Sequence, residues 1–163
     1  AILAVLFEIS AGNVINDYFD YKIDLINKPE RPIPSGRIGL KTARNYAYGL
    51  FLGGTICGFL ISYLTNNWIP FIIVLIADVI LYVYAYKLKS TPLIGNLTVG
   101  FMTGLCFTFG GFSIGTEQMI YTSTFLGFFA FIMTTAREIT KDIEDIEDKI
   151  STAIVKILSL SLK

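Results

Sequence analysis

Histidine is absent from this 163-residue chain, and with it go the imidazole metal ligand and the usual general base near neutral pH. Cysteine occurs only twice, at Cys57 and Cys106, each inside an apolar run, so the two read as small buried hydrophobes without a redox role. Charge is scarce too: 13 Lys and Arg balance 13 Asp and Glu, for a formal net charge of zero. Without a basic excess there is no footprint for nucleic acid. The chemistry therefore rests on carboxylates, amides and basic side chains. No basic region precedes Ala1-Ile-Leu-Ala-Val-Leu-Phe, which argues against a signal peptide and for a segment already inside a bilayer, and so for a fragment.

What is abundant is apolar surface. Hydrophobic residues make up 53% of the chain, more than a soluble domain of this length can bury, so the composition asks for a bilayer. Six apolar stretches approach or reach the roughly 20 residues that cross a hydrocarbon core. They run from Ala1 to about Asn16, from about Thr42 to Leu64, from Ile69 to Tyr86, from Leu93 to Ile114, from Met119 to about Ala136, and from near Thr152 to Lys163. The expected fold is an all-α polytopic transmembrane bundle, residues 1–163 forming one domain with its first and last stretches truncated. Glycines such as Gly49, Gly53, Gly54, Gly58, Gly100, Gly104, Gly110 and Gly111 predict close helix packing through small residues. Basic residues fall in alternate connectors: Lys22 to Arg44, Lys87 and Lys89, and Arg137 to Lys149. The other connectors, Thr65-Asn66-Asn67 and Ser113 to Gln118, have none, so the positive-inside rule predicts a cytoplasmic charged end of a multi-pass cell-membrane protein. Trp68, beside a connector without basic residues, fits an interfacial anchor.

The stretch Gly12-Asn13-Val-Ile-Asn16-Asp17-Tyr-Phe-Asp20-Tyr-Lys-Ile-Asp24 continues the first helix out of the membrane. Spacing of four puts Asn16, Asp20 and Asp24 on one face, while Asp17, about 100° away from Asn16, reads as a supporting residue. Like charges at this spacing repel, and carboxylates near a helix C-terminus oppose its dipole, so the ladder is unfavourable unless cations sit on it. Hard oxygen donors without His or thiolate favour Mg²⁺. The bland alternative is a solvated helix end. Downstream, Lys28-Pro29-Glu30-Arg31-Pro32-Ile33-Pro34-Ser35-Gly36 uses three prolines to hold Lys28 and Arg31 near the carboxylates, where they suit a diphosphate.

A second acidic stretch, Arg137-Glu138-Ile-Thr-Lys141-Asp142-Ile-Glu144-Asp145-Ile-Glu147-Asp148-Lys149, leaves the fifth span at the same end. Glu138, Asp142 and Asp145 share a helical face, Ile139, Ile143 and Ile146 form the expected packing stripe, and Glu144 and Glu147 face water. Two such clusters across a bundle mouth could hold a pair of Mg²⁺ ions bridged by one diphosphate.

Asn16-Asp17-x-x-Asp20-x-x-x-Asp24 with Lys28-Pro-x-Arg31-Pro-Ile-Pro-Ser-Gly resembles the first signature of the UbiA family of intramembrane prenyltransferases. Arg137-Glu-Ile-x-Lys141-Asp142-Ile-Glu-Asp145 resembles the second, as written in the archaeal ether-lipid branch of that family. Tyr84 and Lys89, ahead of Pro92-Leu-Ile-Gly95-Asn96, resemble a family segment near the diphosphate. The likeness runs over essentially the whole chain, which begins at what resembles the family's second helix and lacks helices at both ends. In the family the second signature usually ends Asp-x-x-Gly-Asp. Here Asp145-Ile-Glu-Asp148 is one residue short: either Asp148 is a ligand shifted in register or residues are missing near it, the second being favoured.

The resemblance implies transfer of a geranylgeranyl group from its diphosphate to geranylgeranylglyceryl phosphate, with membrane lipid around it. It implies Mg²⁺, two ions, on Asn16, Asp20, Asp24, Asp142, Asp145 and Asp148, of which Asp20, Asp24, Asp142 and Asp145 are catalytic. Lys28, Arg31, Lys89, Arg137 and Lys141 would hold the diphosphate. Glu8, Asn13, Asp17, Tyr84 and Asn96 are supporting or acceptor-pocket residues. Of the two intramembrane acids, Glu8 shares a face with Gly12, Asn16 and Asp20, whereas Asp78 has no motif neighbour and reads as a neutral, hydrogen-bonded acid between helices. The nearest rival is a sister prenyltransferase for an aromatic, quinone-precursor or chlorophyllide acceptor. A cation transporter, which predicts acids at mid-membrane depth, and a non-catalytic prenyl-lipid binder are the rivals of other classes.

Overall fold

A computed structural model describes the backbone of residues 1–161 and the side chains of residues 1–147, 150 and 154. The helices are α1 (Ile2–Asn27), α2 (Leu40–Thr65), α3 (Ile69–Tyr86), α4 (Ile94–Ile114) and α5 (Glu117–Ser161), with a 3₁₀ turn at Leu88–Ser90. No strand occurs among the described residues. All five helices are long and apolar enough to cross a membrane, and their apolar cores match the first five predicted stretches.

The ends follow local chemistry. Pro70 opens α3 at a position where no intrahelical N–H is needed, and α4 stops at Gly115, whose φ of 83° suits a residue without Cβ. The proline-rich stretch is an irregular loop between α1 and α2 that buries Ile33. Leu93, ahead of α4, takes φ 65° and ψ −50°, and Ile94 N–H donates to the Pro92 carbonyl at 2.7 Å. This is a strained γ-turn, unusual for a side chain of that bulk.

One expectation needs correction. The fifth and sixth stretches are not separated by a connector: α5 runs unbroken for 45 residues through the second acidic stretch. Residues 137–149 contain no Gly or Pro, and Lys141 and Asp145 form an opposite-charge pair at i, i+4, so nothing local interrupts the helix.

α3 lies between the α1–α2 pair and α4, and α5 packs chiefly along α4. Two apolar clusters hold the bundle. Ala11, Ile15, Ala47, Phe51 and Ala85 pack toward the charged end, and Ala4, Ile73, Val74 and Phe109 toward the other. The α4–α5 seam depends on glycine: a Cβ built at Gly104 would lie 2.7 Å from the Gly127 carbonyl oxygen, and one at Gly127 2.6 Å from that of Gly104. Gly49 and Gly110 face open space and take no part in the predicted packing. Large apolar side chains on the outer faces, Leu6, Leu52, Phe125 and Phe129 among them, are exposed as lipid contact requires. Trp68 is half exposed beside Phe59 and Phe71, as an interfacial anchor would be.

The predicted stripe of Ile139, Ile143 and Ile146 is only begun: Ile143 and Ile146 are exposed. The reason is length, since α4 starts at Ile94 opposite Asp142, and α5 beyond that level extends past its partner. Cys106, expected to be buried, is exposed along the cavity described below, while Cys57 is half-buried.

Candidate active site

The first acidic ladder forms the last three turns of α1 and stays helical to Asn27. Its best-connected residue is Asp24, buried despite its charge. The Arg31 guanidinium, delivered by the proline loop, donates from one Nη atom to Asp24 Oδ2 at 2.7 Å and to Asp17 Oδ1 at 3.0 Å. A 3.6-residue repeat explains why Asp17 joins Asp24. Each step of four drifts about 40°, so Asp24 has turned about 80° from Asn16, whereas residues seven apart differ by only about 20°. The view of Asp17 as off the ladder's face holds near Asn16 and fails at Asp24.

Asp20 is met from another direction. Lys89, in the 3₁₀ turn after α3, places its ammonium on Asp20 Oδ2. Asn16 is half-buried, and its Oδ1 is fully enclosed without a hydrogen-bond partner. Lys28 and Asn13 are exposed.

On the other side, Asn96 near the start of α4 donates its amide to Asp142 Oδ2 on α5 at 2.8 Å. Arg137 is highly exposed and lies 3.8 Å from Glu138, and Lys141 and Asp145 are exposed. The side chain of Asp148 lies outside the described residues. Tyr84 links the halves. It lies within electrostatic reach of Glu138 and Asp142 on α5 and of Asp20 on α1.

Beneath Tyr84 opens an apolar cavity of about 340 Å³ between α1, α3 and α4. It runs down from Tyr84 and Thr98 past Glu8 and Leu81 to Ala4 and Phe109. Its walls are nearly all hydrocarbon, with Glu8 the one carboxyl lining it among the described residues. The arrangement is amphiphilic, with charge and hydrogen-bonding groups at the mouth and an apolar channel below.

Electrostatics at the mouth favour fixed positive charge. The hydrogen bond to Asp24 holds the Arg31 guanidinium above its already high ordinary value, against the opposing effect of partial burial and helped by the fields of Asp24, Asp17 and Asp20. The donor set also fits a hard divalent cation. Every candidate ligand presents oxygen, and Asn16 Oδ1 is enclosed beside the carboxylates with its acceptor capacity unused. Arg31 and Lys89, expected on a diphosphate, instead neutralise Asp17, Asp24 and Asp20 in this structure. Among the described residues, no three acidic side chains converge tightly enough to form a metal cluster by themselves.

Asp78 is hydrogen-bonded between helices as expected, although sequence reasoning did not name its partners. Thr55 on α2 donates its hydroxyl to Asp78 Oδ2 at 2.8 Å, and the carboxyl of Glu8 lies alongside. The available signal was the rarity of an acid in an apolar span, which predicts a polar neighbour on another helix.

Comparison with known proteins agrees with this geometry. A curated protein of Methanobrevibacter smithii named digeranylgeranylglyceryl phosphate synthase is 71% identical over 147 residues, 90% of this chain and 52% of that protein. One of the same name from Methanothermobacter thermautotrophicus is 47% identical over 90% of this chain and half of the relative. A solved structure, from work on the biosynthesis of digeranylgeranylglyceryl phosphate synthase in membranes, superposes with a TM-score of 0.78. It shares 38% identity and covers 91% of this chain and 50% of its own. The chain thus spans about half the length of the curated relatives it matches. The model of the UbiA prenyltransferase family matches residues 1–162, and the chain belongs to that family.

Proposed function

We propose that this protein transfers a geranylgeranyl group from its diphosphate to the free hydroxyl of geranylgeranylglyceryl phosphate, with the charged mouth facing the cytoplasm of a cell membrane. The observation that carries this reading is the position of Tyr84. It lies within electrostatic reach of Asp20 of the first acidic stretch and of Glu138 and Asp142 of the second, and forms the upper wall of an apolar channel. A polyisoprenoid diphosphate has this shape of chemistry: concentrated charge at one end and hydrocarbon behind. The relatives' names supply the acceptor class.

Asn16, Asp20, Asp24, Asp142, Asp145 and Asp148 would hold Mg²⁺, two ions, whose charge neutralises the diphosphate and helps it leave. The protein's own part is electrostatic. Arg31 and Lys89 are held at the ladder by carboxylates, so they are positioned where negative charge grows as the C–O bond to the diphosphate breaks. Lys28, Arg137 and Lys141 stand exposed around the same mouth and add to that field. The apolar lining keeps water from the allylic cation until the acceptor hydroxyl attacks. Asn96 aims Asp142 through their hydrogen bond.

The test uses full-length protein in lipid bilayers with Mg²⁺, geranylgeranyl diphosphate and candidate acceptors. Pyrophosphate release should match formation of a second ether bond on the glycerol phosphate, stop on chelation and return with Mg²⁺. Turnover with an aromatic acceptor alone would overturn the lipid-ether assignment, and failure of every acceptor to support pyrophosphate release would overturn the transferase reading.

A further inference from the structure

Glu8 and Asp78 stand apart from the charged mouth. Glu8 lies near the start of α1, about 18 Å along the helix from Asp20, and Asp78 is in the middle of α3. The two carboxyls face one another between these helices. On the third side is α2. Thr55 donates to Asp78 Oδ2, and Glu8 Oε1 fills the space beside Gly54 that any Cβ would occupy. Glu8 is 8% exposed yet lines the apolar cavity. Three buried oxygens are left without a donor: Glu8 Oε1, Glu8 Oε2 and Asp78 Oδ1.

As two carboxylates these groups set acceptor against acceptor and charge against like charge. One carboxylate at the centre of a bilayer is already costly, and a second beside it adds repulsion. Among the described residues, no basic side chain lines the cavity to offset this. The groups near the pair are Glu8 from α1, Thr55 from α2, Asp78 and Tyr84 from α3, and Thr98, Thr103 and Cys106 from α4. Thr98 and Thr103 donate to their own helix, to the Ile94 and Val99 carbonyls. A proton resolves the conflict. An O–H on one acid donates to the other, which engages two of the three unpartnered oxygens and removes one charge, while Asp78 Oδ2 keeps Thr55.

We propose that Glu8 and Asp78 form a proton-binding site in the wall of the apolar cavity, a carboxyl pair that holds a proton between α1 and α3. This site is about two-thirds of the way down α1 from the acidic ladder and does not depend on the transferase reading. It makes Glu8 a target for apolar carbodiimides, which enter hydrocarbon and need the acid form. The acid adds across one C=N bond, carboxylate oxygen to carbon and proton to nitrogen, with no other reactant.

The test treats the full chain in bilayers with dicyclohexylcarbodiimide and maps the adduct by peptide mass spectrometry. The expected result is an adduct on Glu8 or Asp78 at neutral pH, falling at least tenfold as the medium is made alkaline, and absent with a water-soluble carbodiimide. E8Q should remain folded, because its amide can donate to Asp78, and should lose the infrared band of a buried protonated carboxyl that the parent shows. Labelling of neither acid would overturn the proposal. So would labelling set by sodium concentration at fixed pH, which would make the pair a metal-cation site. Both arms on the unsubstituted protein stand even if a variant fails to fold.

Discussion

Asn96 and Asp142 lie 46 residues apart in sequence and are joined by a 2.8 Å hydrogen bond between α4 and α5. The bond fixes which oxygen of Asp142 remains free toward the mouth. A partner that orients a ligating carboxylate typically contributes 10- to 100-fold to metal affinity or activity. Asn96→Ala should therefore raise the Mg²⁺ concentration needed for half-maximal turnover by about tenfold or more. An unchanged Mg²⁺ titration would remove Asn96 from the site.

Asp24 and Asp17 share one guanidinium but differ in burial, Asp24 being nearly enclosed and the Asp17 side chain 45% exposed. Removing charge at the enclosed position reduces Arg31's shorter contact to a weaker bond to a neutral acceptor, whereas at the open one water can compensate. Asp24→Asn is expected to lower kcat/KM by about 100-fold or more, equivalent to ~2.7 kcal/mol of transition-state stabilisation, and Asp17→Asn by about tenfold or less. Steady-state kinetics on the two variants distinguish them, and equal losses would contradict the ranking.

Arg31 also sets a pH expectation. Asp24 raises its folded value above the ordinary one, so the stabilisation is present below the unfolded value and lost only as pH rises through the folded value. That loss lies beyond any working pH. Arg31→Lys replaces the group with one of ordinary value about 10.4. The ratio of variant to parent activity should stay level through neutral pH and fall above about pH 10. A ratio that remains level throughout would show that charge at this position does not matter.

At the α4–α5 seam, Gly104→Val should destabilise the bundle by about 1–3 kcal/mol or more, because the new Cβ meets the Gly127 backbone and not a movable side chain. Gly110→Ala, on an open face, should change little. Thermal unfolding in detergent compares the two.

Much of this was legible in the sequence because membrane helices announce themselves by length and composition, and because the ladder and the Arg31 loop are local. Helix α1 carries Asn16 to Asp24 as expected, Tyr84 lies within electrostatic reach of both acidic stretches, and Asn96 is bonded to the second. What remained hidden depended on other helices. That Arg31 and Lys89 lie on carboxylates, or that Glu8 meets Asp78, follows from how α1, α2 and α3 pack, which no spacing within one helix encodes. The unbroken α5 was hidden differently: charged residues look like a loop on a hydropathy profile, although nothing in them stops a helix.

That helix is also a ruler. Between the close contact of Gly104 with Gly127 and the Asn96–Asp142 hydrogen bond, α5 runs about 22 Å along α4. The register in which the glycines lock therefore sets the depth of Asp142, and a slip of one residue at that seam would displace its carboxylate by about 1.5 Å along the helix axis.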